Sequence, residues 1–443
     1  MADSAPRRAN FGAAVAAAEQ RARNALLRNH GGGHAQVSNL ELFFDLVFVF
    51  AITQVSHTLK EHFDLAGAGK ALMLYMAVWW LWMYTTWGAN WVNPERLQVR
   101  VVLLLTMLGS LCLAVALPHA FGDDALLFAG AYIALQIGRT LWLCWVFRSE
   151  PGGHARNFLR IALWFMASAL FWVFGALRGG QEQVGWWLLA LAIEYCGPFC
   201  FFRVPGLGRS SAADWDISPS HMAERCGLFI IIALGEGIVI TGASVAGQDL
   251  SPGLGAAMAI AFGSAALMWW LYFDIGAERG MRRMVADNAP GRIARNAYTY
   301  LHMPIVAGII VAAVGDALLL EHWDEATDSK LLVAQIGGAA IFLVGLGLFK
   351  REASPIGNFP LSHSAALLAL AGLATWGTLA KPGALAFSLA LDLILLAACV
   401  WEWVSFHGGW MERMEARGWP LAARLRQRAE RRRAARQEQP HQT

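Results

Sequence analysis

The sequence predicts an all-α fold, a polytopic transmembrane helix bundle of about twelve helices. Three observations predict it. Apolar stretches of roughly 20 residues, the length a helix needs to cross a bilayer, recur along the chain. Hydrophobic residues make up 57% of the 443 and charged residues only 15%, where a soluble globular chain carries about 25% charged. The lysines and arginines also alternate. If the first residues face the cytoplasm, 28 of the 35 fall on that side and five on the other, while Arg139 and Arg225 lie within apolar spans. Positive charge collects on the cytoplasmic side of a membrane protein, so this split predicts an even number of crossings with both ends inside. Backbone in lipid must close its hydrogen bonds within a helix or a closed barrel, and these stretches are too long and too uniformly apolar for barrel strands.

Helices are expected at 40–59, 71–90, 99–118, 125–147, 158–177, 185–202, 222–243, 254–275, 298–317, 331–349, 362–380 and 384–404. A basic cytoplasmic segment, 1–38, precedes the bundle of 39–404, and a basic cytoplasmic tail, 405–443, follows it. The first residues hold no apolar core of signal-peptide length, so the first helix is expected to direct insertion. The tail, basic and helix-prone at 422–436, reads as a solvated end or as a segment on an anionic leaflet. Without a recognition module beside it, nucleic acid is not an expected partner.

The first helix opens NLELFFDLVFVFAITQVSH. Glu41 and Asp45 lie four residues apart and share a face. Ser38 or Asn39 suits an N-cap followed by an acid in the first turn, which accounts for Glu41 but not for Asp45. Two carboxylates this close repel unless a cation lies between them. The pair therefore reads as a proton or cation site, or as a latch held by Arg225 or Arg139.

The second helix carries VWWLWMYTTW and the eighth LMWWLYFDIG, so that Trp79 and Trp80 match Trp269 and Trp270. Met107 and Met303 continue the match in the following helices. An offset of six helices predicts two parallel six-helix halves, 39–203 and 221–404. The tryptophans read as packing and belt residues. In the fourth helix, Arg139 is a cation that needs an acid, and Glu194 sits beside Tyr195 in the sixth.

The seventh helix, HMAERCGLFIIIALGEGIVITG, gathers His221, Glu224 and Arg225 in one turn and places Glu236 near mid-span between Gly235 and Gly237. A charge at mid-membrane costs at least about 2.5–3.5 kcal/mol, which makes each one a functional candidate. Glu236 is the leading one. Asp274 closes the eighth helix, and His302 and Pro304 begin the ninth. His119, His363, Asp316 and Asp392 read as nearer the interfaces. The six cysteines lie in apolar spans, which argues against a disulfide framework. No ligand spacing for a metal and no P-loop, dinucleotide fingerprint or nucleophile elbow is present, so no cofactor is expected.

Three stretches, VSNLELFFDLVFVFAITQVSHTL, HMAERCGLFIIIALGEGIVITG and YLHMPIVAGIIVAAVG, resemble the signature segments of the bacterial low temperature requirement protein A family. The resemblance covers about residues 36 to 400 and includes Glu41, Asp45, His221, Glu224, Arg225, Glu236 and His302. It implies a polytopic protein of the bacterial inner membrane and names no reaction.

The leading functional expectation is a proton- or cation-coupled transporter or permease. Glu236, Asp45, Glu41, Glu224 and Asp274 would bind or relay the ion, and Arg225, His221, His302 and Arg139 would pair with an acid or a substrate. The alternatives are an integral-membrane enzyme acting on a lipid or quinone at the cytoplasmic leaflet, with His221, Glu224 and His302 as acid/base groups, and a non-transporting membrane stress or assembly factor. Expected partners are membrane lipids and a small substrate or ion.

Overall fold

The computed structural model describes residues 26–28, 37–150, 153–211, 217–246, 248–274, 276–285, 290–354, 357–407 and 417. Most of the two expected basic ends lies outside the described residues.

Each of the twelve expected stretches contains a helix, the sixth ending at Cys196 rather than at 202. The helices are α1 (Asn39–Glu61), α2 (Leu65–Trp91), α3 (Leu97–Ala116), α4 (Ala125–Phe147), α5 (His154–Arg178), α6 (Gly180–Cys196), α7 (Pro219–Val245), α8 (Pro252–Phe273), α9 (Gly276–Val285), α10 (His302–Glu321), α11 (Ser329–Ala353), α12 (Leu361–Ala380) and α13 (Ala384–His407). Among the described residues, eleven helices are long and apolar enough to cross a membrane. The sixth expected span, α6, falls short at 17 residues. The added element, α9, is a short helix with Arg282 and Arg283 in its last turn. The chain approaches α10 through a π-helical turn, Ala294–Tyr300.

The caps follow from sequence. Ser38 accepts from the Glu41 amide, and Glu41 reaches back to the Ser38 amide, a complete capping box. Asp64, Ser251 and Asp328 cap α2, α8 and α11. Between α5 and α6 the chain turns on Gly179 (φ 67°) and Gly180 (φ 56°), left-handed angles that glycine adopts without strain.

The chain divides into two compact units, 1–225 and 226–443, with the division inside α7. In the first unit α1 packs on α2 and α3, α4 on α2, α3 and α5, and α6 on α2 and α5. Its centre is α2, where Trp79, Trp80 and Trp82 are fully buried. In the second unit α10 packs on α8, α11 and α13, and α13 on α8 and α11, with α9 against α8 and α11 and α12 against α11 and α13.

The tightest pair is α10 with α11. A Cβ on Gly308 would lie 2.4 Å from the Phe342 backbone nitrogen, and one on Gly338 would lie 2.5 Å from that of Ala312. Gly315 meets Gln335 and Gly345 meets Ile305 in the same way. The contacts climb one helix as they descend the other, so the pair is antiparallel. Without a hydrophobic force between helices in lipid, such small-residue seams let backbones approach and gain dispersion. This register sets Asp316 of α10 level with the start of α11.

Candidate functional site

The acids that looked misplaced in the first helix sit in a closed ionic network in the first unit. Glu41 and Asp45 are both fully buried. Arg225 of α7 donates to Asp45 Oδ1 at 2.7 Å and lies 3.6 Å from Glu41 Oε1. Its guanidinium also lies over the rings of Phe44 and Trp82, at 5.7 and 5.8 Å. Trp82 Nε1 donates to Asp45 Oδ1 at 2.8 Å. Arg28 pairs with Glu41 at 3.2 Å, and Ser38 gives the same carboxylate its amide and its hydroxyl, each at 2.8 Å. Asp45 is thus latched to Arg225, and Arg139 lies elsewhere.

His221 Nε2 lies 2.7 Å from Glu41 Oε1. Its protonation follows from Asn90. Asn90 Oδ1 accepts the Ser218 amide at 2.8 Å, which turns Nδ2 toward the Ser218 carbonyl and His221 Nδ1, both at 3.1 Å. An amide nitrogen only donates, so Nδ1 accepts and the imidazole proton sits on Nε2, given to Glu41. Two carboxylates then face two guanidiniums around a neutral imidazole. Glu224, on the same turn, is exposed and accepts the Val37 amide at 3.2 Å.

A second network, also in the first unit, answers what Arg139 needs. Arg139 donates to Thr85 Oγ1 at 2.8 Å, to the Leu81 carbonyl at 3.2 Å and to the Gln136 carboxamide. Gln136 donates to Tyr132 at 3.0 Å, and Tyr132 donates to Glu194 at 2.5 Å. Ser168 and Trp172 complete the Glu194 shell at 2.7 and 2.9 Å. The acid paired with Arg139 is therefore Glu194, reached through two neutral side chains. Glu194 has three polar partners on α4 and α5 brought together only by packing, and sequence spacing carries no signal for it.

In the second unit, Glu236 is 1% exposed in the middle of α7, and a Cβ on the adjacent Gly237 would touch Ala313 of α10 at 3.7 Å. His302, expected to pair with an acid or a substrate, is held by neutral groups of its own unit. Its Nδ1–H donates to the Ala297 carbonyl at 2.9 Å, and its Nε2 accepts from the Tyr272 hydroxyl at 2.8 Å. Tyr298 stacks on it and Phe349 meets it edge-on. Asp274 is half-buried at the C-terminal cap of α8. The proposed ion-site residues are divided between the two units. Glu41, Asp45, His221 and Arg225 come together, while Glu236, Asp274 and His302 occupy separate surroundings.

Two further groups escaped sequence reading. Lys350 donates to Glu402 at 2.5 Å and to the Leu271 carbonyl at 2.9 Å. His363 and Ser362 close the other Glu402 oxygen at 3.1 and 3.0 Å. Asp316 and Asp392, read as interfacial, are 5% and 8% exposed inside the bundle. Among the described residues, no group of three or more His, Cys, Asp or Glu side chains could hold a metal ion.

A family model described as bacterial low temperature requirement A protein (LtrA) matches residues 36–400. A Rhizobium meliloti (strain 1021) protein named "Uncharacterized protein RA0937" is 36% identical over 379 residues, which span 86% of this chain and 92% of that protein. No solved structure matches.

Proposed function

The chain belongs to the bacterial low temperature requirement A family, and from that premise we propose that this multi-pass membrane protein is a proton- or cation-coupled transporter. The observation that carries the reading is Glu236. An acid 1% exposed at mid-helix, between two glycines, costs insertion energy and is a functional candidate for that reason. Intramembrane carboxylates of this kind mark ion pathways. An open apolar groove of about 330 Å³ begins two residues further along α7, lined by Ile238, Thr241, Gly242, Met258 and Phe262. Its size and apolar walls suit a small ligand. On this reading the Glu41–Asp45–Arg225 network is a structural latch and Glu236 belongs to the ion path.

The expected result is flux in proteoliposomes, read with a pH-sensitive dye under an imposed ion gradient. Glu236→Gln lowers that flux by at least about tenfold, a change of 1.36 kcal/mol in the barrier. Unaltered flux in Glu236→Gln would remove that residue from the path. No flux under any ion tried would sink the transporter reading itself.

The same proposal places the protein in the inner membrane with both termini cytoplasmic, supported by the division of its lysines and arginines. Alkaline phosphatase fused after Thr443 is then expected to stay inactive and a fluorescent protein there to glow. An active phosphatase reverses the topology.

A further inference from the structure

Where α11 ends, α12 begins and α13 ends, three polar side chains of the second unit converge on the Glu402 carboxylate. Lys350 of α11 donates to Glu402 Oε2 at 2.5 Å. Ser362 of α12 donates to Glu402 Oε1 at 3.0 Å, and His363 Nδ1 lies 3.1 Å from the same oxygen. Lys350 also donates to the Leu271 carbonyl of α8 at 2.9 Å. The side chains of Lys350 and Glu402 are 11% and 7% exposed, whereas His363 is fully buried behind them.

These contacts fix the proton of the neutral imidazole. A carboxylate paired with a lysine only accepts, so Nδ1 carries the proton and donates it. Ser362 Oγ, 3.2 Å from Nδ1, gives its own hydrogen to Glu402 and leaves that assignment unchanged. The lone pair of the ring is therefore on Nε2. That nitrogen is buried and meets no hydrogen-bonding group of the described residues. Phe359 meets the ring edge-on, with centroids 6.1 Å apart. Phe359 is itself seated on α11 at Gly347, where a Cβ would come within 2.3 Å of it.

A histidine held by a carboxylate at Nδ1–H, with Nε2 open, has the geometry of a general base. The charged groups facing it are Glu402 from α13 and Lys350 from α11, while α12 adds the Ser362 hydroxyl and α8 a backbone carbonyl through Lys350. Glu402 would balance an imidazolium charge and Lys350 would repel it. At 1.5 Å per residue, Lys350, His363 and Glu402 all lie within about 8 Å of the ends of their helices. The partly exposed Lys350–Glu402 pair thus stands between one aqueous face and the buried ring.

We propose that His363 is a proton-accepting site of the second unit, with Nε2 the atom that takes the proton and Glu402 the group that holds the resulting imidazolium. The step forms one Nε2–H bond with a proton from the aqueous face. The Nδ1–H bond to Glu402 stays, and no other bond breaks. The part this site plays in coupling rests on the transport reading, whereas its protonation does not.

Solid-state NMR of the full-length protein in lipid bilayers, isotope-labelled at its histidine nitrogens, reads both ring positions without any flux. His363→Gln keeps a donor for Glu402 and identifies the His363 signals by their loss. At about pH 8 those signals are expected to show a proton on Nδ1 and none on Nε2. On acidification to about pH 5, Nε2 gains a proton and Nδ1 keeps its own. An Nε2 that stays bare across that range overturns the proposal, and so does a resting proton on Nε2. Lys350→Met removes the repelling cation and is expected to raise the proton affinity of the ring about tenfold. That shift also identifies the His363 signals should His363→Gln fail to fold. An affinity that Lys350→Met leaves unchanged counts against the site. Proton uptake without flux in proteoliposomes speaks against transport and leaves the site standing, and flux with a bare Nε2 does the reverse.

Discussion

Arg225→Ala is expected to destabilise the protein by about 3–5 kcal/mol, the range found when one partner of a buried ion pair is removed. The cause is what remains behind. Asp45 keeps one donor, Trp82 Nε1, and loses the cation that neutralises it in a site with no water-facing surface. Glu41 keeps Arg28 and Ser38 and is affected less. The double variant Arg225→Ala with Asp45→Asn removes the stranded charge and is expected to recover most of the loss. Equilibrium unfolding of the full-length protein in mixed micelles measures both. A single variant costing under about 1 kcal/mol, the worth of an ordinary hydrogen bond, would show that the latch does not hold the first unit together.

The second large effect is Glu194→Ala. The carboxylate accepts from Tyr132, Ser168 and Trp172, all fully buried. Truncation strands three donors, and each buried unsatisfied group costs about 1–3 kcal/mol. The expected total is at least about 3 kcal/mol. Glu194→Gln keeps one acceptor oxygen and is expected to recover part of it. The loss also passes down the chain, because Tyr132 orients Gln136 and Gln136 holds Arg139. Arg139→Leu should therefore couple to Glu194→Ala in a double-mutant cycle, although the two side chains do not touch. Additive losses would show that Tyr132 and Gln136 transmit nothing between them.

Much of the fold was legible because membrane helices obey a strong local rule. A backbone in lipid hydrogen-bonds within its own segment, so apolar length marks each element. Even the local cap was readable, since Ser38 and Glu41 act within one turn. Where length was marginal the reading stretched: α6 ends at Cys196, because the chain turns through Gly197 into Phe201 and Phe202 with positive φ. The repeat seen in the tryptophan pairs does not extend to burial. Trp79 and Trp80 are inside the first unit, while Trp269 is 50% exposed.

The site was legible only as a list of acids and bases. The Glu41–Asp45 pair was visible at i, i+4, and both latch arginines were among the charges available. Which arginine closes it depends on α7 meeting α1, some 180 residues later in the chain. Asp316 and Asp392, read as nearer the interfaces, are also buried among the helices of their unit. Counting residues from a helix end measures depth along the axis and says nothing about whether a side chain faces lipid, water or another helix.

By itself the sequence determined that this chain crosses a membrane many times, where its helices lie and which charges they carry into the bilayer. All of these follow from hydrophobicity and spacing along one segment. Only the tertiary structure decided which charges cancel. It joined Asp45 to Arg225 and linked Glu194 to Arg139 through Tyr132 and Gln136. Electrostatic pairing acts across a few ångströms between helices distant in sequence, and no local pattern encodes that distance.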